Sequence, residues 1–245
     1  MIYKSNKIQK SEILNYGSVL VRGKPVNQTE EMLYKIVHDA SDHPEINGIL
    51  WICYQSPPSD VKRKQKQYNL EINKVSDNIW FIDMISNMMG LKQEGTNVNY
   101  CSSPTDYNCL FKYVDNFIAK FSKCLIIFDN LNAVMSYDVV ERLIKMLRNM
   151  NNKVIQKNSA IIYLSISGAY NSQTDVAIQT TMNKVIDLDS TISKSYMDMT
   201  WKDLKNISWR EVFSLNVPLL FVLLIVMWIV NIVLVFLFIL VLIRP

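Results

Sequence analysis

Four short runs in this chain are almost wholly apolar: Gly48–Gln55 (GILWICYQ), Asn78–Ser86 (NIWFIDMIS), Lys123–Asp129 (KCLIIFD) and Ser159–Ser167 (SAIIYLSIS). A strand with one wet face alternates polar and apolar residues, whereas an unbroken run suits a strand covered on both faces, as inside a parallel sheet. Between the runs lie segments with helical spacing. They carry Met32, Leu33, Ile36 and Val37, then Leu110, Tyr113, Val114, Phe117 and Ile118, then Val140, Leu143, Ile144 and Leu147. The order strand, helix, strand, repeated, predicts an α/β domain over residues 1–190 with a mostly parallel central sheet.

The first unit of this series spans Gly17–Ala40. An apolar strand, Ser18-Val19-Leu20-Val21, breaks at Arg22-Gly23-Lys24-Pro25 and restarts as a helix, with Thr29 supplying a cap and Glu30 and Glu31 early negative charge. A strand, a glycine-containing turn and a helix in this order is where α/β nucleotide-binding proteins hold phosphate. Backbone N–H groups and the helix N-terminus together favour an anion there. The two glutamates oppose that use, since they put negative charge where phosphates would sit.

The strand ending in Asp129 is the second informative stretch. A Walker B element presents a carboxylate to magnesium in this way, and an aspartate at a strand end equally serves to cap the following turn. The remaining segments are less specific. Val61–Val75 reads as an exposed helix whose Lys62, Arg63, Lys64 and Lys66 form a solvated face without interleaved aromatics. Residues 87–105 lack periodicity and read as a long loop. Of the four cysteines, Cys53 and Cys124 sit in apolar runs as buried thiols. Cys101 and Cys109 read as thiols too, a loop disulfide between them being the other reading. His38 and His43 have no companions suited to zinc and read as surface residues, so no metal site is expected.

Val217–Ile243 carries no charge and one strongly polar residue, Asn231, and is long enough to cross a bilayer core of about 30 Å as a helix. Only Arg244 and Pro245 follow it, which predicts a tail anchor. Lys202, Lys205 and Arg210 precede it, so the charge bias places the N-terminal domain in the cytoplasm of a single-pass membrane protein. The N-terminus shows no secretory signal. Residues 191–216 form a juxtamembrane connector. Its Thr200–Asp203 and Ser208–Glu211 segments read as capping boxes, and Trp201 and Trp209 suit a headgroup layer, in an interfacial helix or a plain linker.

Over residues 13–190 the chain resembles the RecA superfamily, and within it the KaiC-like branch widespread in archaea. The resemblance implies a RecA-like three-layer α/β/α domain, here with one C-terminal transmembrane helix. In that family the first strand leads into G-x-P-G-x-G-K-[ST], and the corresponding stretch here is Gly23-Lys24-Pro25-Val26-Asn27-Gln28-Thr29-Glu30. Gly23 and Pro25 match. Val26 and Gln28 stand at glycine positions, Thr29 at the phosphate-binding lysine and Glu30 at the magnesium-ligating hydroxyl. Where the family places an acidic residue after the second strand to activate water, this chain has Gln55-Ser56. The resemblance thus implies a vestigial nucleotide site made of Gly23, Lys24, Pro25, Thr29 and Asp129, with no catalytic residue and no cofactor.

Three functions are open on this footing. The first, which the sequence favours, is a membrane-tethered pseudo-ATPase that regulates or scaffolds, with protein partners or copies of itself. The second is an unconventional ATP-binding protein or ATPase, using ATP and magnesium, in which Lys24 or a neighbouring subunit's lysine supplies the missing charge. The third, a membrane-associated nucleic-acid binder, is opposed by a formal net charge of only +4.

Overall fold

The computed structural model of the chain describes residues 15–24, 27–70, 78–91 and 97–188, all within the first of the chain's two units, Met1–Lys194. The residues before Asn15, the end of the predicted basic helix at 71–75, the connector 191–216 and the apolar span 217–243 lie outside the described residues. Among the described residues no helix is long and apolar enough to cross a membrane.

Seven parallel strands form the sheet: β1 (Ser18–Gly23), β2 (Gly48–Cys53), β3 (Ile79–Asp83), β4 (Val98–Tyr100), β5 (Cys124–Asp129), β6 (Ala160–Ile166) and β7 (Lys184–Asp187), in the order β4-β3-β2-β5-β6-β1-β7. Six helices connect them: α1 (Asn27–Ser41), α2 (Pro58–Gln67), α3 (Tyr107–Lys120), the single-turn α4 (Leu131–Met135), α5 (Val140–Gln156) and α6 (Ser172–Gln179).

The unbroken apolar runs have the meaning their composition predicts, because alternate residues of each central strand enter two separate cores. Val19, Val21, Ile49, Trp51, Leu125, Ile127, Ile162 and Leu164 pack with Tyr34, Val37 and Ala40 of α1 and Val61 of α2. Leu20, Leu50, Ile52, Ile126, Phe128, Ile161 and Tyr163 pack with residues of α3, α4, α5 and α6 on the other side. The arrangement is a three-layer α/β/α domain, which fits a RecA-like fold. Each fully buried Ile, Leu or Val contributes roughly 1.5–3 kcal/mol relative to exposure, so β2 and β5, buried along their whole length, anchor the fold. Gly48 opens β2 because a β-carbon there would lie 2.6 Å from the Phe121 ring.

Several expectations need correction. The long loop at 87–105 contains β4, a three-residue edge strand too short to show a period. Cys101 and Cys109 are joined by a disulfide, while Cys53 and Cys124 are buried free thiols as expected. Helix α2 starts at Pro58, ahead of Val61, since proline suits the first helical position, where its missing N–H costs nothing. The helix expected around Val140, Leu143, Ile144 and Leu147 runs on to Gln156, because Met150 and Val154 extend the buried stripe of Leu143 and Leu147. Helix α1 begins at Asn27, so Thr29 lies in its first turn rather than at the cap.

Candidate functional site

All seven strands are parallel, so Gly23, Cys53, Asp83, Asp129 and Ile166 end at one edge of the sheet. The chain leaves β1 and β2 over the face covered by α1 and α2, and leaves β5 and β6 over the opposite face. Where neighbouring strands send their connections to opposite faces, a crevice opens beyond the strand ends. Here it is a cleft of about 220 Å³ between the ends of β1, β2, β5 and β6 and the inner sides of α1 and α2.

Asp129 lies on the floor of this cleft, only 9% exposed. Its position in β5 puts the carboxylate on the α1 side, level with Cys53 of β2, which in turn is level with Asp83 of β3. Burial pushes the Asp129 carboxyl up to about 6; the positive charge of Lys64 and the indole of Trp51 act in the lowering direction, and the negative charge of Glu30 raises it further. The Trp51 N–H makes no hydrogen bond of ordinary geometry, so its effect on the carboxylate is that of a nearby dipole. Tyr34 stacks on Trp51 with ring centroids 5.5 Å apart, and burial and then the charge of Asp129 raise its hydroxyl above the usual range. The Cys53 thiol is raised by burial and then by both aspartates, which makes it an inert core thiol.

Above Asp129 the cleft is crossed by an interaction between its two walls. Lys64 of α2 reaches Glu30 of α1 as a close ion pair, and the Tyr68 hydroxyl donates to the other oxygen of Glu30 at 2.8 Å. Tyr68 is the C-cap of α2, four residues after Lys64, which brings both groups to the same side of the helix end. Burial raises the Glu30 carboxyl, but the hydrogen bonds from Lys64 and Tyr68 and the attraction of Lys64 outweigh it and hold it below the ordinary carboxylate range. Tyr68 is pushed up to about 12, by burial and by Glu30.

The third wall is made of amides. Asn130 caps α4, its side-chain oxygen accepting from the Ala133 N–H at 2.9 Å, while its NH₂ donates to the Gln55 side chain. Gln55 therefore spans from β2 to β5 where a water-activating acid would stand in the RecA pattern. Asn132 accepts from the Ile166 N–H at 2.7 Å and from Ser165, which fixes the end of β6 against α4.

Of the residues predicted for a vestigial nucleotide site, Gly23, Lys24 and Asp129 come together in this cleft. Pro25 lies outside the described residues, as does the side chain of Thr29. Sequence reasoning missed Lys64, Tyr68, Tyr34 and Trp51. The basic run Lys62–Lys66 is not a uniform solvated face: Lys64 turns into the cleft, Lys62 stacks over the Phe81 ring at 5.2 Å and Arg63 pairs with Asp60. No cluster of three metal-ligating side chains occurs among the described residues.

No protein-family model matches the sequence, and no curated protein does. Solved structures do match in fold. The flagellar accessory protein FlaH from Methanocaldococcus jannaschii is 13% identical, with a TM-score of 0.51 over 76% of this chain and 78% of its own. A KaiC-like protein from the hyperthermophilic archaeon Pyrococcus horikoshii is 10% identical, with a TM-score of 0.49 over 70% of this chain and 72% of its own. The fold is thus shared with FlaH, and the seven-stranded parallel sheet with helices on both faces fits the RecA-like domain that the sequence resemblance leads one to expect.

A nucleoside triphosphate with magnesium fits this cleft poorly. Pockets for ligands of that order occupy roughly 300–1,000 Å³, and the volume here is smaller. The Glu30 carboxylate, which repels phosphate, is fixed in the cleft by two partners, and the hydroxyl residues of the described lining, Tyr34, Ser56 and Ser165, stand at other positions.

Proposed function

We propose that the chain is a membrane-tethered KaiC/RecA-like pseudo-ATPase that serves as a regulatory or scaffolding protein through contacts with protein partners or with copies of itself. The observation that carries this reading is the commitment of Glu30 to Lys64 and Tyr68 across the cleft. It joins α1 to α2 and places a carboxylate where the RecA pattern has a magnesium-ligating hydroxyl. Gln55, bound to Asn130, supports the same reading, because an amide cannot accept a proton from water at neutral pH. The tether rests on Val217–Ile243 and on the lysine and arginine residues before it.

One observation favours the opposing reading, an unconventional nucleotide binder: Lys24 and Lys64 both line the cleft. Titration of the whole chain with a fluorescent ATP analogue separates the two. The pseudo-ATPase gives no saturable binding in the micromolar range and no phosphate release. Micromolar affinity that disappears in Lys24→Ala, Lys64→Ala or Asp129→Ala would overturn it. Retention of the chain in membranes after an alkaline wash tests the tether, and capture of partners from detergent extracts tests the scaffold.

A further inference from the structure

We infer that the strand-end edge of the domain carries an apolar rim, built on Met88, Met89, Leu91, Tyr137 and Val139, that seats on the surface of a lipid bilayer. The inference rests on the membrane tether proposed above and adds to it an orientation for the domain.

Of the seven large apolar side chains well exposed among the described residues, five belong to two segments at this edge, while Val176 lies on α6 and Ile155 near the end of α5. Met88, Met89 and Leu91 are 49%, 51% and 58% exposed and follow one another after β3. They are held at that edge by backbone hydrogen bonds from Met89 N–H to Ile85 and from Leu91 N–H to Ser86. Tyr137 and Val139 are exposed in the connection between α4 and α5, at the same edge. The two segments are tied together through the disulfide loop. Asn87 donates to the Cys101 carbonyl at 3.3 Å, Cys101 is bonded to Cys109, and the Tyr107 hydroxyl donates to Asp138 at 2.6 Å.

Two described carboxylates beside the rim, Asp138 and Asp106, have partners within the protein, while Glu141 in the first turn of α5 is exposed. Asp138 takes the Tyr107 hydroxyl and pairs with Arg142, and Asp106 caps α3 through the Cys109 N–H. Methionine and leucine with a tyrosine beside them are side chains that partition into the headgroup and upper acyl region, while an apolar cluster on a soluble surface otherwise draws a partner.

The bilayer is favoured over a protein as the occupant by the path of the chain. Strand β7 is parallel to β1 and ends at Asp187, on the same edge as the rim. The sequence then reaches the apolar span at Val217, and a domain joined to its anchor by a segment of that length meets the bilayer at an effective concentration on the order of millimolar. A weak apolar contact is enough to orient the domain under that condition.

The test uses the full chain reconstituted in phosphatidylcholine–phosphatidylglycerol vesicles, with an environment-sensitive fluorophore on Met89→Cys, Val139→Cys or Ile155→Cys. Ile155 is exposed near the end of α5 at the opposite edge and serves as the reference. Cys53 and Cys124 are buried and Cys101 and Cys109 are bonded, so the introduced thiol takes the label. Lipids carrying a quencher at the headgroup or upper chain should quench positions 89 and 139 several-fold more than position 155. Equal quenching at all three positions in chain that resists an alkaline wash overturns the rim and leaves the tether standing. Energy transfer between labelled copies without lipid quenching assigns the rim to a second copy and also overturns the inference. Release of the chain by the wash removes both.

Discussion

Asp129 offers the sharpest quantitative test of the cleft. Its carboxyl is raised from the ordinary 3.8 to about 6, chiefly by burial. A shift of two units corresponds to about 3 kcal/mol. Below pH ~4 the group is protonated in folded and unfolded chains alike, and it costs nothing. As pH climbs through the window between the two values, the unfolded chain releases its proton first and gains the advantage. Above the folded value the full penalty is in place, and stability has fallen by about 3 kcal/mol on this account. Asp129→Asn removes the titration. The amide brings its own fixed offset, since two new N–H donors need acceptors, and that offset can reach about 1–3 kcal/mol. The offset does not vary with pH, so the decisive quantity is the pH dependence of the difference. Urea unfolding of both proteins at a series of pH values should show the variant gaining on the parent by about 3 kcal/mol across the window and no further above it. Glu30 and Asp106, whose carboxyls are held below their ordinary values, titrate in both proteins and cancel. A difference that stays flat with pH would refute the placement of Asp129 as a buried carboxylate without a compensating donor.

Three further outcomes follow from the packing. Gly48→Ala drives a methyl group into the Phe121 ring, and overpacking of that kind costs about 1–3 kcal/mol; thermal or urea unfolding should show the loss, and Phe121→Leu in the same chain should recover part of it. Reduction of Cys101–Cys109, or Cys109→Ser, opens a loop of sequence separation 8. That costs roughly 2–3 kcal/mol on the chain-entropy account, read by unfolding with and without reductant, and mass spectrometry of alkylated protein should find two blocked cysteines before reduction. Arg22→Ala removes bonds of 2.9 and 2.8 Å to Asp187 and Asp175, which join β1 to β7 and α6. A charged pair of this kind is worth about 1.5–3 kcal/mol, and amide hydrogen exchange should rise first in β7.

What was legible in the sequence and what was not divide along a physical line. Strands β2, β3, β5 and β6 are legible because a strand buried on both faces leaves an unbroken apolar run, and α3 because Asp106 caps it and its apolar stripe repeats at helical spacing. Strand β4 is not, since three half-buried residues at an edge leave no period. Asp129 and the end of β1 are legible as members of one site, because both belong to local patterns tied to strand ends. The partners of Glu30 are not. Lys64 lies 34 residues from Glu30, and nothing within α2 distinguishes an inward lysine from Lys62 or Lys66 beside it. The signal that was available is the i, i+4 spacing of Lys64 and Tyr68, two groups able to donate to one carboxylate.

The cleft has its origin in topology and not in one loop sequence. A loop that cradles phosphate depends on particular residues, glycines above all, and the RecA resemblance would put Val26, Gln28 and Glu30 at those positions. The crevice depends only on β1 and β2 turning to one face while β5 and β6 turn to the other, and that follows from strand order and core packing. Substitution in the loop therefore cannot close it, and the polar strand ends beneath would remain wet and unconnected. In this chain the space is bridged from within. Glu30 of α1 takes Lys64 of α2 and Tyr68 at its C-cap, and Asn130 after β5 takes Gln55 after β2. These two links join α1 to α2 and the end of β5 to the end of β2 across the crevice.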